Sequence, residues 1–178
     1  RTKEMEQELQ HIDVAAHKWP VYQELVDHTR NFANSLPLVD ELRNDAMRDR
    51  HWAELMKVTR KKFVITEDFT LGDILQLNLH TTAREVRDIV QQAIKDCGVE
   101  KFLAKLDASW KDVNFAFGLH VKKSVPLLKP VDRIRDVLEE GQVGLQTIGG
   151  GKGIPHFEDQ ISEWMTALTT IETVLALW

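Results

Sequence analysis

Cysteine is almost missing from this chain of 178 residues: Cys97 is the single one. That excludes an internal disulfide and fits a reducing compartment, and its place on an apolar helical face makes it a small core residue. No stretch approaches ~18 consecutive apolar residues, so the sequence predicts no transmembrane helix. Arg1–Gln10 has no apolar core of the signal-peptide kind. An excess of basic residues is also lacking. The net charge is −5, with both signs interspersed, which argues against a nucleic-acid binder, whose surface would carry a basic stripe. The longest basic cluster, Arg60-Lys61-Lys62, reads as a solvated helix end. What remains is 43% hydrophobic and 29% charged residues, the composition of a helical or globular protein able to bury roughly 70% of its unfolded surface.

Apolar residues recur overwhelmingly at helical spacing. A polar helix from about Thr2 to Lys18 carries a thin stripe at Met5, Leu9, Ile12 and Ala16. Trp19-Pro20 interrupts it, with Pro20 kinking the helix or opening the next one. Val21, Leu25, Val26, His28 or Thr29, and Phe32 line that next helix. Ser35-Leu36-Pro37 then reads as a break and a new start, followed by Leu38, Val39, Leu42 and Ala46. Asp49 is placed to cap a helix bearing His51, Trp52, Leu55 and Met56. Phe63-Val64-Ile65 is a short β-prone run. Thr70 caps a short helix, and Thr82 with Glu85 matches a capping box before a helix carrying Val86, Ile89, Val90, Ala93, Ile94 and Cys97. Gly98 marks a joint or a close helix contact. Val99, Phe102, Leu103, Leu106, Trp110 and Val113 form the cleanest single-face stripe in the chain. From Asn114 the period drops to two, which predicts a β-hairpin near 113–119 and 124–129, with its turn at Lys122-Lys123-Ser124 and Pro126 on an edge. A helix from Asp132 carries Ile134, Val137 and Leu138, with Val143, Leu145 and Ile148 beyond. A flexible glycine loop follows, and then a helix from about Pro155 with Phe157, Ile161, Trp164, Met165, Leu168, Ile171, Val174, Leu175 and Trp178. The expected fold is all-α: an elongated array of antiparallel helical bundles with one small β-hairpin. The helical pattern already under way at Arg1 and still running at Trp178 predicts a piece of something larger.

Chemical constellations are sparse. Gly149-Gly150-Gly151-Lys152-Gly153 invites a phosphate-loop reading. A Walker A loop, however, needs GxxxxGK followed by Ser or Thr after a strand, whereas here Gly153 and Ile154 follow the lysine and a helix precedes. The segment reads as a hinge. His11, His17, His28, His51, His80, His120 and His156 contain no i, i+4 pair and no Cys-His cluster, so no metal site is expected. His51 is expected to hydrogen-bond locally beside Trp52. Asp45/Asp49 and Glu139-Glu140 read as surface charges rather than an acid–base pair. Ser35, Ser109, Ser124 and Ser162 lack a nucleophile context. The five tryptophans, Trp19, Trp52, Trp110, Trp164 and Trp178, read as core anchors between helices, with Trp19 or Trp178 the ones placed to meet a neighbouring segment.

Arg50-His51-Trp52 inside a helix has no catalytic logic, but it resembles the RHW signature of dynein heavy chains, where the tail passes into the linker. Leu55-Met56-Lys57 and the run Thr70-Leu71-Gly72-Asp73-Ile74-Leu75-Gln76-Leu77-Asn78-Leu79 are similar to segments downstream of that signature in the family. So are Val86 to Ala93, Glu100-Lys101 with Leu106, Trp110, Phe115 and Phe117, then Leu138 to Gln146, and finally Trp164, Leu168, Ile171, Val174-Leu175 and Trp178. The resemblance covers roughly Leu36 to Trp178. The chain departs from the family pattern at Gly149 to Gly153, where a serine-containing loop is usual, and near Asp96-Cys97, where Glu is common. The Asp132–Gln146 pattern resembles ciliary rather than cytoplasmic heavy chains.

The resemblance implies a mechanical role. Residues 1–35 would end the tail, and residues 36–178 would begin the linker, which arches over the AAA+ ring and bends and straightens with its nucleotide state. It implies a non-enzymatic segment with no cofactor of its own, the ATP and Mg²⁺ belonging to AAA+ modules elsewhere. The implied partners are the AAA+ ring, the remaining linker and neighbouring heavy, intermediate or light chains, with no nucleic acid or membrane. The implied location is cytoskeletal, in the axoneme of a cilium or flagellum. Arg50, His51, Trp52, Leu71, Gly72, Asp73, Trp110 and Trp164 are the structural signature. Trp52, Phe102, Trp110 and Trp164 are the residues expected to stiffen the segment. Pro20, Gly149, Gly150, Gly151 and Gly153 are candidate hinges. The alternative is a helical scaffold or tethering module without motor context. If Trp110 anchors a core, Trp110→Ala costs about 3–5 kcal/mol in a denaturant melt; an unchanged transition contradicts the anchor.

Overall fold

The computed structural model describes residues 2–63, 70–119, 121, 125–150 and 155–177. They are predominantly helical, with one two-stranded antiparallel hairpin, so the fold is all-α with a small β element. The chain divides into two compact units, Arg1–Lys95 and Asp96–Trp178.

The first unit begins with α1 (Thr2–Gln10), which is shorter than the polar pattern suggested. Asp13 accepts the Ala15 N–H at 3.0 Å, a turn that competes with helix, and only a single 3-10 turn, Ala16–Lys18, follows. Trp19 is extended and Pro20 is the first residue of α2 (Pro20–Leu42). The missing proline N–H costs nothing there, because the first helical N–H groups have no partner anyway. Tyr22 donates its hydroxyl to the Leu9 carbonyl at 2.9 Å, satisfying an acceptor at the end of α1. Val21, Leu25 and Phe32 are exposed, whereas Thr29 is buried.

The expected break at Ser35–Pro37 is not there: α2 runs through Pro37. An internal proline forfeits a backbone hydrogen bond and costs about 3 kcal/mol. Buried Leu38, Val39 and Leu42, just beyond it, offset that cost by packing into the unit's core. Each apolar side chain of this size contributes about 1.5–3 kcal/mol on burial.

α3 (Asp49–Thr59) ends on Arg60 in the left-handed region (φ 55°), with Arg60, Lys61 and Lys62 exposed as the sequence suggested. α4 (Leu71–Leu75) is capped by Thr70. Asn78 then turns the chain at φ 54°, a conformation its short amide tolerates. Leu77 and Leu79 on either side are thereby buried with Leu55, Val86, Ile89 and Val90. Phe63 lies outside any strand, and Val64 and Ile65 lie outside the described residues. α5 (Ala83–Lys111) starts after a 3-10 turn whose last residue is Thr82. Among the described residues the Thr82 hydroxyl has no hydrogen-bond partner, so the expected Thr82–Glu85 capping box does not form. Gly98 is neither a joint nor a close helix contact: it sits inside α5, exposed, with nothing among the described residues within 4 Å of where a Cβ would stand.

The second unit is an antiparallel three-helix bundle. Its helices are the C-terminal part of α5, α6 (Asp132–Gly149) and α7 (Glu158–Leu177), the last entered by a 3-10 turn at Pro155–Phe157. Direction follows from the pairings. Phe102 meets Gly144 while Leu106 meets Gly141, so α5 and α6 run oppositely. Late in α6, Leu145 clusters with Phe157, Ile161 and Leu168, while early Ile134 and Leu138 cluster with Leu175, so α7 reverses again. The predicted 99-to-113 stripe is the seam of this bundle. Cys97 is half-buried and Val143 and Val174 are exposed. The hairpin joins β1 (Phe117–Leu119) to β2 (Pro126–Leu128); Lys122, Lys123 and Ser124, the expected turn, lie outside the described residues. Its Leu128 packs on the Ile134–Leu138–Leu175 cluster.

Two glycines decide how closely the bundle closes. A Cβ on Gly141 would stand 3.0 Å from the Leu106 and Leu168 methyls, and one on Gly144 would fall within the Phe102 ring. Gly144→Ala therefore loses about 1–2 kcal/mol net, an overpacking cost of about 2–3, the upper part of the usual range because the Cβ meets a rigid ring, offset by about 1 from helix propensity. Gly98→Ala, with open space, gains about 1 kcal/mol. Urea melts of the two variants should shift in opposite directions; a shift in the same direction contradicts the seam.

Candidate functional site

The signature residues fall into two groups, one in each unit. In the first unit Arg48 is the extended residue before α3, and the N–H it presents is taken by His51 Nδ1 at 3.0 Å. The expected cap, Asp49, is instead the first helical residue. A ring nitrogen that accepts a backbone N–H carries no proton, so His51 is held here as the neutral Nε2–H tautomer. The imidazole takes the place that Glu or Gln fills in an ordinary capping box. The guanidinium of Arg48 has only donors, and it reaches the Asp45 carbonyl at 2.8 Å and the Met47 carbonyl more loosely. His51 is buried, Arg50 half-buried, and Trp52 lies on the Leu55–Val86–Leu38 core with the Phe63 ring edge-on at 6.2 Å and 87°. Arg-His-Trp thus fixes where α3 begins and anchors it, and its neighbour Phe63 was not legible as that ring's partner.

Thr70 and Asp73 form the reciprocal cap the sequence predicted. Asp73 Oδ2 accepts from the Thr70 N–H at 2.9 Å and from its hydroxyl at 2.7 Å, and the Thr70 hydroxyl accepts the Asp73 N–H at 3.3 Å. The hydroxyl and then the backbone N–H of Thr70 hold the Asp73 carboxyl below the usual carboxylate range. Leu71, Gly72 and Asp73 are exposed. Lys61 donates its ammonium to the Gln76 carbonyl nearby, and Arg87 faces Glu41 at 3.5 Å.

In the second unit Trp110 packs against both buried clusters of the bundle, and Trp164 packs against the one formed by Leu106, Leu145 and Leu168. Among the described residues Trp110 Nε1 is buried without a hydrogen-bond partner, a cost the site bears for placing the indole beside Gly141. Lys105 bridges to Glu140 at 2.7 Å, and that ammonium draws the Glu140 carboxyl below its usual range. Gln142 donates to Glu172 at 2.8 Å. All of these tie α5 to α6 or α6 to α7 along the Gly141–Gly144 seam. That pairing was missed in the sequence; its signal was two glycines three apart inside a helical stripe.

The hinge candidates are dispersed. Pro20 opens α2, Gly149 ends α6, and Gly150 follows with ordinary right-handed backbone (φ −73°). Gly151, Lys152, Gly153 and Ile154 lie outside the described residues, as do His120 and Trp178; Trp19 is exposed. An open groove in the first unit collects Met5, His28, Thr29, Phe32, Ser35 and His80. Its hydroxyls are already committed to their own helix, Thr29 to the Leu25 carbonyl and Ser35 to the Asn31 carbonyl, each at 2.8 Å. Among the described residues no three His, Cys, Asp or Glu side chains gather as metal ligands, and no helix is long and apolar enough to cross a membrane.

Capped helix starts, a close glycine seam and rings set between helices are what these residues build. The family model described as dynein heavy chain, N-terminal region 2, matches residues 1–178, and the chain belongs to that family. It is 36% identical over 176 residues to the ciliary dynein beta chain of Tripneustes gratilla and 37% over 176 residues to dynein axonemal heavy chain 17 of Mus musculus. To the flagellar outer arm dynein beta chain of Chlamydomonas reinhardtii it is 33% identical over 180 residues. Each of these matches covers 99% of this chain, which spans about 4% of the length of each relative.

His51→Ala should cost about 2–3 kcal/mol, about 1 from the cap and the rest from the cavity. His51→Gln, which restores an acceptor, should stay within about 1 kcal/mol of the parent in a urea melt. Equal losses contradict the cap. Because the Asp73 carboxyl is held low, its support for α4 is complete above the ordinary carboxylate range. It is lost as pH falls through the lowered value. The protection factor of the Asp73 amide should drop on acidification in the parent and be flat with pH in Asp73→Asn; a flat parent contradicts this.

Proposed function

We propose that this chain is a mechanical segment of an axonemal dynein heavy chain. Residues 1–35 are the end of the tail, and residues 36–178 are the start of the linker that passes ATP-driven changes of the AAA+ ring to the tail for microtubule-based movement. The observation that carries the reading is the family match along residues 1–178. The bundle seam supports it: side chains packed at native density repack in discrete steps rather than deform continuously, which is what a force-bearing element needs. On this reading ATP, Mg²⁺ and hydrolysis belong to other modules of the same heavy chain. The partners are the AAA+ ring and remaining linker, with adjacent heavy, intermediate or light chains. The place of work is the axoneme of a cilium or flagellum, in keeping with the ciliary, axonemal and flagellar names of the relatives.

Loosening the seam in the whole heavy chain tests this. With Phe102→Ala, microtubule-stimulated ATP turnover should stay within about twofold while gliding velocity falls several-fold, since a barrier change of 1.4 kcal/mol is a factor of ten in rate. Unchanged velocity, or velocity that merely tracks turnover, contradicts force transmission and favours the helical-scaffold reading.

A further inference from the structure

The β-hairpin has one usable edge and one blunted edge. Lys129 donates its N–H to the Ala116 carbonyl at 2.8 Å, and the register pairs Phe117 with Leu128, Gly118 with Leu127 and Leu119 with Pro126. Hydrogen-bonded and non-hydrogen-bonded pairs alternate along an antiparallel ladder. Ala116–Lys129 is bonded, so Gly118–Leu127 is the next bonded pair. Phe117, Leu119, Pro126 and Leu128 therefore aim their backbone groups outward. On the β2 side one of the two outward donors is missing, because residue 126 is proline. On the β1 side Phe117 and Leu119 each present an N–H and a C=O, and among the described residues nothing bonds to them. An open pair of this kind is the template for strand addition.

Its two faces differ in character. Phe117 and Leu119 lie on the face that carries Leu128, and they are 58% and 75% exposed. On the opposite face the Lys129 side chain lies over Gly118, its Cε 3.6 Å from where a Cβ would be. A strand laid along β1 would therefore set one row of side chains beside exposed Phe117 and Leu119 and the alternate row beside an ammonium.

We propose that the β1 edge is a docking site for an extended segment of a partner protein in which apolar and acidic residues alternate. Main-chain hydrogen bonds to Phe117 and Leu119 supply the pairing. The apolar row covers the two exposed side chains, and the acidic row meets Lys129. A second copy of the chain fits less well, since edge-to-edge pairing of two β1 strands puts both Lys129 ammonium groups on one face of the joint sheet. The inference rests on the hairpin alone and is independent of the force-transmission reading.

The probe is an end-blocked, fluorescein-labelled nonapeptide of alternating valine and glutamate, titrated into the 178-residue chain by anisotropy, with amide exchange followed by NMR. It should bind and slow exchange at Phe117 and Leu119. A valine–lysine peptide and an analogue N-methylated at every amide should each bind at least about tenfold more weakly, since the first opposes Lys129 and the second offers no donors. Leu119→Pro, which removes an outward donor without touching a ladder bond, should weaken the valine–glutamate peptide by a similar factor. If that variant loses the Gly118–Leu127 pairing, the N-methylated peptide decides with the parent protein untouched. The proposal is overturned by absence of binding, by protection at Leu128 instead of Phe117 and Leu119, or by equal binding of the N-methylated peptide. It is also overturned by concentration-dependent dimerisation in sedimentation that protects the same two amides with no peptide present.

Discussion

The bundle of the second unit depends on the absence of two side chains. Gly141 and Gly144 lie one helical turn apart on α6; a Cβ on Gly144 would fall within the Phe102 ring, and one on Gly141 would crowd the Leu106 and Leu168 methyls at 3.0 Å. Each glycine costs a helix interior about 0.5–1 kcal/mol against alanine. The cost is offset because backbone and neighbouring side chains approach closely enough for methyls and a ring to fill the gap, and dispersion contacts decay steeply with separation. Once that spacing is set, the remaining features fall into place. Lys105 reaches Glu140, Gln142 reaches Glu172, and the Trp110 indole touches both buried clusters. The exposed ion pair contributes little to stability by itself. Its use is to mark the register that the glycines and Phe102 enforce.

The first unit solves a related problem at a helix start. α3 has to begin where Leu55 and Trp52 can enter a core made by Leu38, Leu42, Leu79 and Val86. The residue before it is arginine, whose side chain cannot accept a hydrogen bond, so a buried histidine one turn in does so through its ring. A signature with no catalytic logic thereby acquires a physical one: the imidazole satisfies an orphan donor in a place where water is excluded. The exposed Thr70–Asp73 box does the same for α4 with the ordinary residue types.

Much of this was legible in the sequence, where local rules and tertiary packing agree. The 99-to-113 stripe, the Thr70 cap, the period-two run that becomes β1 and β2, and Pro20 at a helix start all follow from spacing and backbone chemistry. Two of the readings that failed share one cause. Pro37 and Gly98 are local breakers, yet α2 and α5 run through them, because flanking apolar side chains bury enough surface to outweigh a few kcal/mol of propensity. Asp49 looked the better cap than Arg48 because the acceptor, His51, lies one turn ahead and imidazole is not the usual choice. The Gly141–Gly144 seam needs Phe102, some forty residues earlier, to make sense, and nothing local links them. Among the described residues the hydroxyl of Thr82 stays unpaired although its spacing to Glu85 fits a box, because Thr82 closes a 3-10 turn that runs directly into α5 and is not the extended residue a cap requires.

The central claim is that the glycine seam makes the three helices of the second unit one cooperative body. Native-state hydrogen exchange in low denaturant measures this directly, since amides that open together converge on one free energy. The account predicts that Leu106 on α5, Leu145 on α6 and Leu168 on α7 share an opening free energy to within about 1 kcal/mol. Separate openings, with α6 or α7 exchanging through a distinctly cheaper local unfolding, would contradict it.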